Sequence, residues 1–311
     1  MHPATSIIVF TVCSGAGFGL LFALGLPALW GDAPSGALAW AGFILAFALS
    51  VGGLMSSTFH LGHPERAWRA FSQWRSSWLS REGVLAVVTL GLAGFYALAC
   101  IIGLPGAAIL GPLTAVMSLL TVYATSMIYA QLKTVDRWHT LLTPLCFLAF
   151  ATASGEIIVG ALRAAFADGP GIWPLTAALS IFIAWTLKQR AWRQGDARAV
   201  APVSTTESAT GLGFLGSVRL FEAPHTGPNY LLNEMGFTVA RRHAEKLRFF
   251  AVLVGGFLPM ILTLMASSGL APTVTLVLGS VALLAGLFIE RWLFFAEARH
   301  SVMAYYDRRT A

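Results

Sequence analysis

The sequence predicts an all-α, polytopic membrane fold, on three observations. Of the 311 residues, 57% are hydrophobic and only 11% are charged, a balance foreign to soluble proteins of this length. The mean hydropathy is +0.72. Apolar runs of about 20 residues, the length that crosses ~30 Å of hydrocarbon at 1.5 Å per residue, recur along the whole chain. With no water in the bilayer core to satisfy backbone groups, these runs must be helices.

Eight such runs are expected, at 5–30, 36–59, 83–103, 109–131, 141–166, 172–192, 248–268 and 272–296. The first follows only Met1 to Thr5, with neither a basic leader nor a small-residue cleavage site, and reads as a retained helix. Within it, Gly15, Gly17 and Gly19 let a neighbouring helix approach closely. Cys13, Cys100 and Cys146 fall in separate helices without C-x-x-C spacing, which favours packing over metal or disulfide chemistry. The whole chain, 1–311, reads as one integral membrane domain.

Charge sets the expected orientation. Eight spans put both termini and the loops after the second, fourth and sixth helices on one side. All of the 20 lysines and arginines except Arg163 then lie on that side. The positive-inside rule makes it cytoplasmic, so both termini are expected inside. The basic pI of about 9.6 is therefore mainly a topology signal, with some affinity for anionic lipid. Loops on the other side are short Gly and Pro turns with no room for a binding domain.

The inner side carries three segments: Phe59–Gly83, rich in His, Arg and Trp; a short link, KTVDRWHT; and a long cytoplasmic loop, 193–247. The long loop has aromatics, Pro turns and an amphipathic stretch from about Asn233 to Arg248, features of a surface that docks a partner. Its Gly211, Gly213 and Gly216 spell G-x-G-x-x-G, but no strand precedes them, which argues against nucleotide binding.

Ionisable groups at membrane depth are costly and mark candidate sites. They are His60 at the end of the second helix, Glu82 at the start of the third, Glu156 in the fifth, and Glu290 with Arg291 in the eighth. His60 and Glu82 are the preferred catalytic pair, because the loop between them returns to the same face. Two-electron quinone chemistry moves two protons, so one group near neutral pKa should bond the quinone oxygen while a second exchanges protons with water. The structural alternatives are a snorkelling histidine and a first-turn acid beside Ser80. Trp68, Trp74 and Trp78 with Arg66, Arg69 and Arg75 read as interface anchors that could also cover a headgroup-level cavity. Tyr123, Tyr129, Gln131 and Trp138 read as packing, or as a second wall of that cavity. Glu156 and Arg163 lie on one helical face and could pair, whereas adjacent Glu290 and Arg291 should contact two different helices. The remaining histidines sit at inner ends and loops, which argues against a transmembrane bis-histidine haem. A transporter and a haem-bearing cytochrome remain the competing classes.

The pattern H-L-G-x-P-x-R-A at His60–Ala67, with L-S-x-E at Leu79–Glu82, resembles the membrane anchor subunits of dimethyl sulfoxide reductases. Tyr129, Lys133–Val135, Thr143–Pro144 and Ala285, Gly286, Ile289, Arg291 and Phe294 agree with it. The resemblance implies an eight-helix, haem-free anchor in a bacterial inner membrane. Its partners would be an iron-sulfur subunit in direct contact and a molybdopterin catalytic subunit, and it would exchange electrons with ubiquinone or menaquinone. It maps the quinone-site histidine onto His60 and the helix-three glutamate onto Glu82. Gly62, Pro64, Arg66, Trp74, Ser80, Arg81 and Tyr129 complete the expected quinone surroundings. The long loop departs from those reductase anchors. The stretches TGLGFLGSVRLFEAPHT and NEMGFTVARRHAEKLR instead resemble anchors of cytoplasmic sulfite-oxidising, quinone-reducing complexes, which implies electron flow from sulfite to quinone.

Overall fold

The structure, a computed structural model, describes residues 4–200, 205–218, 221–222 and 239–301. The side chains of His60, Val200, Val239, Ala240, Arg241 and Arg242 lie outside the described set. Among the described residues the chain is helical, with one isolated bridge between Val135 and His300 and no strand.

Among the described residues ten helices follow in order: α1 (Thr5–Gly25), α2 (Gly36–Ser56), α3 (Trp78–Ile102), α4 (Ala107–Ala130), α5 (Leu142–Phe166), α6 (Trp173–Val200), short α7 (Thr206–Thr210), α8 (Val239–Val252), α9 (Leu258–Ser267) and α10 (Pro272–Ala296). Seven segments among the described residues are long and apolar enough to cross a membrane: Thr5–Trp30, Gly36–Phe59, Trp78–Ile102, Ala107–Ala130, Leu142–Phe166, His243–Ser267 and Pro272–Ala296. The protein is therefore a multi-pass membrane protein. The expected sixth span, 172–192, forms part of α6, but Lys188 and Arg190 cut its apolar stretch short, so length and composition alone do not count it.

Sequence explains why α1 is central. It is apolar all round, the pattern of a helix with neighbours on every side, and it packs against α2, α4, α5 and α10. Glycines set the spacing. Gly17 faces Ser50 of α2, Gly19 faces the Ala151 carbonyl of α5, and Gly155 of α5 faces the Gly19 carbonyl, so backbone meets backbone where a Cβ would collide. Gly15 has no such neighbour. The other helices form neighbouring pairs, α3 with α4, α5 with α6, and α9 with α10.

The long loop proves partly helical. Residues to Val200 continue α6, and those from Val239 begin α8. The first part of the amphipathic stretch expected from Asn233, residues 233–238, and the side chains of Arg241 and Arg242 lie outside the described residues. Gly211, Gly213 and Gly216 form a turn and a 3-10 segment with no preceding strand.

Four interactions close one end of the bundle, where the α4–α5 link lies, into a ring. Arg137 of the α4–α5 link meets Asp196 of α6 at 2.6 Å and Glu297 beyond α10 at 3.4 Å. Arg248 of α8 meets the same two carboxylates at 2.7 and 2.8 Å. Arg198 adds bonds to the carbonyls of Asp136 and His139 at 2.8 and 3.0 Å. The link that reads as polar in sequence thus folds inward. Val135 and Trp138 are buried, and Trp138 Nε1 donates to the Phe294 carbonyl at 3.0 Å.

Candidate functional site

α2 ends where its serines and threonine turn back on it. Ser56, Ser57 and Thr58 donate to the carbonyls of Gly53, Leu54 and Met55 at 2.6, 2.7 and 2.7 Å. These bonds satisfy carbonyls orphaned at a helix terminus and tighten the chain into the 3-10 turn Ser57–His60. Ser56 Oγ also lies 3.1 Å from the Ser6 carbonyl, which ties this turn to the start of α1. The backbone of His60 thus has a defined place, although its side chain lies outside the described residues.

Pro64 then starts a 3-10 segment, Pro64–Gln73, consistent with proline's preset φ at a helical first position. Gly62, Pro64, Arg66 and Trp74 are exposed on this segment and its borders. Two residues of the L-S-x-E motif strap it to α3. Buried Ser80 donates to the Ala70 carbonyl. Arg81 donates to the carbonyls of Trp74 and Arg75 at 3.0 and 2.6 Å, and its guanidinium lies 4.4 Å from the Trp78 ring centroid. Ser80 and Arg81 therefore act on the loop's position.

Glu82 follows directly and points into the bundle, with only 4% of its surface exposed. The Thr125 hydroxyl of α4 donates to Glu82 Oε1 at 2.5 Å. One step deeper, Thr89 and Thr121 bond hydroxyl to hydroxyl at 2.9 Å. A polar seam thus runs down the α3–α4 contact in an otherwise apolar environment. Thr125 also lines a narrow cavity between α1, α4, α5 and α10, whose other polar walls include Thr11, Ser14, Ser154 and Arg291. Tyr129, one turn further along α4, packs against Trp138, Phe147, Phe294 and Phe295 with ring centroids 5.3 to 5.8 Å apart. Trp78 and Tyr123 meet edge to face at 5.8 Å.

Behind the cavity lies a buried charge cluster. Lys188 of α6 pairs with Glu290 of α10, and Arg291 Nε lies 3.4 Å from Glu290 Oε2. All three are at most 4% exposed. Arg291 also sits 3.8 Å over the Phe147 ring of α5. The two-helix expectation for Glu290 and Arg291 therefore holds, with α6 and α5 as the two partners, and the residues also pair with each other. Two sequence readings change. Lys188 belongs to the interior rather than to the basic inner surface. Arg163 pairs with Asp32 at 2.9 Å and not with Glu156, because the loop after α1 brings a carboxylate to it. Thr125 carries no sequence signal of its own, since threonines are common in membrane helices.

Comparison with known proteins agrees with this architecture. The profile of the DMSO reductase anchor subunit (DmsC) family matches residues 1–296. A sulfite dehydrogenase subunit of Allochromatium vinosum is 32% identical over 99% of both chains. The anaerobic dimethyl sulfoxide reductase chain YnfH of Escherichia coli K12 is 31% identical over 51% of this chain and 57% of its own. With a family match that spans nearly the whole chain and a helical membrane bundle to carry it, this protein belongs to the DMSO reductase anchor subunit family.

Proposed function

We propose that this chain is the quinone-reactive anchor of a molybdopterin and iron-sulfur oxidoreductase complex in a bacterial inner membrane. It passes electrons from an iron-sulfur partner, ultimately from sulfite, to ubiquinone or menaquinone. The observation that carries the reading is Glu82: a buried carboxyl held by Thr125 at the foot of α3, directly behind a loop strapped down by Ser80 and Arg81. Similarity to a sulfite dehydrogenase subunit over 99% of both chains favours sulfite as the electron source. Anchors of reductases that oxidise quinol are the second reading, favoured by the partial match to YnfH.

Reduction of a quinone to a quinol takes two electrons and two protons. In this reading the His60 imidazole donates a hydrogen bond and a proton to one quinone oxygen, and Glu82 relays protons between the interior and water. Gly62, Pro64, Arg66 and Trp74 form the outer rim, while Tyr129 walls the deeper side. Iron-sulfur and molybdopterin centres belong to the partner subunits. The topology proposed is eight spans with α6 included and both termini cytoplasmic, supported by the one-sided distribution of lysine and arginine. The 193–247 segment docks the iron-sulfur subunit, its base held by the Arg137–Asp196–Arg248–Glu297 ring.

The deciding experiment replaces His60 with Ala and measures sulfite-dependent quinone reduction in the assembled complex. A fall of about 10²-fold or more is expected for loss of a general acid, with assembly unchanged. Normal turnover removes His60 from the site. Sulfite-inactive wild-type complex that oxidises quinol instead selects the second reading.

A further inference from the structure

On the opposite flank of the bundle from α2 and α3, the helix made by α8 and α9 is interrupted. Leu253–Phe257 forms one π-helical turn, a local widening found often at functional sites. Two glycines permit it. Gly255 packs against Gly286 of α10 and Trp185 of α6, and Gly256 lies against the Trp185 indole. Four residues beyond Gly255 stands Pro259, which has no N–H to give the Gly255 carbonyl, and Trp185 Nε1 donates to this oxygen at 2.7 Å. The indole is thereby pinned across the gap between α6 and the interrupted helix.

A cavity of about 410 Å³ opens beside it, within the size range of ligand sites. Its walls are apolar: Phe182, Trp185, Phe257 and Met260. Phe182 and Phe257 are more than half exposed, so the cavity opens towards the surrounding lipid. Its inner end is different. Gln189, Arg190 and Arg193 stand there, one turn or less beyond the apolar part of α6. Both arginines are exposed, and no carboxylate among the described residues pairs with either. Every other arginine near this face that forms an ion pair, namely Arg137, Arg248 and Arg291, has its carboxylate in the bundle.

From this arrangement we infer a specific binding site for an anionic phospholipid, with one acyl chain in the groove between α6 and α9 and the phosphodiester between Arg190 and Arg193. The two parts match the two ends of the ligand. Aromatic and aliphatic walls take hydrocarbon, and guanidinium forks suit phosphate oxygens. Basic pockets between membrane helices at the inner surface are recognised by anionic headgroups on the same physical grounds. A neutral isoprenoid quinone would fill the walls but leave both cations unmatched. The site does not depend on the redox assignment, since it lies on α6 and α9 and the quinone site is placed at α3 and α4.

The test uses the full chain in its native complex, purified in mild detergent, stripped of lipid by exchange, and offered phosphatidylglycerol or phosphatidylcholine of identical acyl chains. Native mass spectrometry reads the occupancy. One phosphatidylglycerol per chain is expected, about thirtyfold tighter than phosphatidylcholine, as two interfacial arginines would give. Arg190→Gln with Arg193→Gln should erase that preference, and Thr186→Trp, which crowds the groove, should weaken both lipids alike. Equal binding of the two lipids by the unaltered chain overturns the proposal, as does a preference that survives the double substitution. So does uptake of ubiquinone in place of lipid that is blocked by Thr186→Trp.

Discussion

Glu82 of α3 and Thr125 of α4 meet in a polar contact of 2.5 Å, shielded from solvent. The pairing joins the two ideas of the site. The carboxyl sits one residue beyond the straps that hold the His60 loop, and the hydroxyl lines the cavity that leads to Arg291.

Replacing Glu82 with Gln keeps shape and hydrogen bonding but removes the proton that can be exchanged. Quinone-linked turnover of the assembled complex is expected to drop by about 10²-fold, with assembly unchanged. Thr125→Val should cost about tenfold through loss of the hydrogen bond that orients the Glu82 carboxyl, and Thr125→Ser should restore most of it. Equal turnover in Thr125→Val and Thr125→Ser complexes would disconnect this hydroxyl from the chemistry.

The Lys188–Glu290–Arg291 cluster predicts an asymmetric response to substitution. Removing the shared anion leaves two buried cations, so Glu290→Leu should destabilise by about 3–5 kcal/mol. Lys188→Met leaves Glu290 with Arg291 3.4 Å away and should cost less. The double variant should be more stable than the sum of the two losses implies, because only Arg291, and not two cations, is then left without its anion. Apparent thermal midpoints in one detergent measure this. Strict additivity would show that the pair is not coupled.

The crossing of α1 and α5 gives a packing prediction. A methyl group on Gly155 would meet the Gly19 backbone and not a side chain able to move aside. Gly155→Ala should therefore cost at least about 1–3 kcal/mol by forcing the helices apart, seen as lower yield of folded protein in membranes. Gly15→Ala, where no neighbour lies within reach, should leave yield unchanged.

Legibility in the sequence followed the range of the interaction. The helices were readable because apolar length alone specifies them, whereas the span expected at 172–192 falls short by length and composition because Lys188 ends its apolar run early. Glu82 was readable since a carboxyl at a helix start in hydrocarbon is costly wherever it points. Its partner was not, because nothing local distinguishes Thr125 from the threonines at 114 and 121. Glu156 and Arg163 showed the opposite failure. Their helical spacing suggested a pair, but Asp32 lay nearer in space though 131 positions away in sequence. The inward fold of the Val135–Trp138 link was equally hidden, since its anchors are Phe294 and the segment after α10.

Asp196 closes the inner ring and supplies a pH test. Hydrogen bonds from Arg248, then Arg137, hold its carboxyl down to about 2, from an ordinary 3.8, against the opposing effect of partial burial. A depressed carboxyl stabilises the folded state fully above its unfolded pKa, and that contribution is lost as pH falls through the folded value. Asp196→Asn should therefore be less stable than the unaltered protein at neutral pH. The gap should narrow below about pH 4 and vanish only below about pH 2. The side chain is 47% exposed, so solvent screening limits the gap to about 1 kcal/mol, and 1 M salt should shrink it further. Thermal midpoints of both proteins across this pH range provide the measurement. A gap that persists unchanged at pH 2 would assign the effect of the substitution to packing and not to the ionised ring.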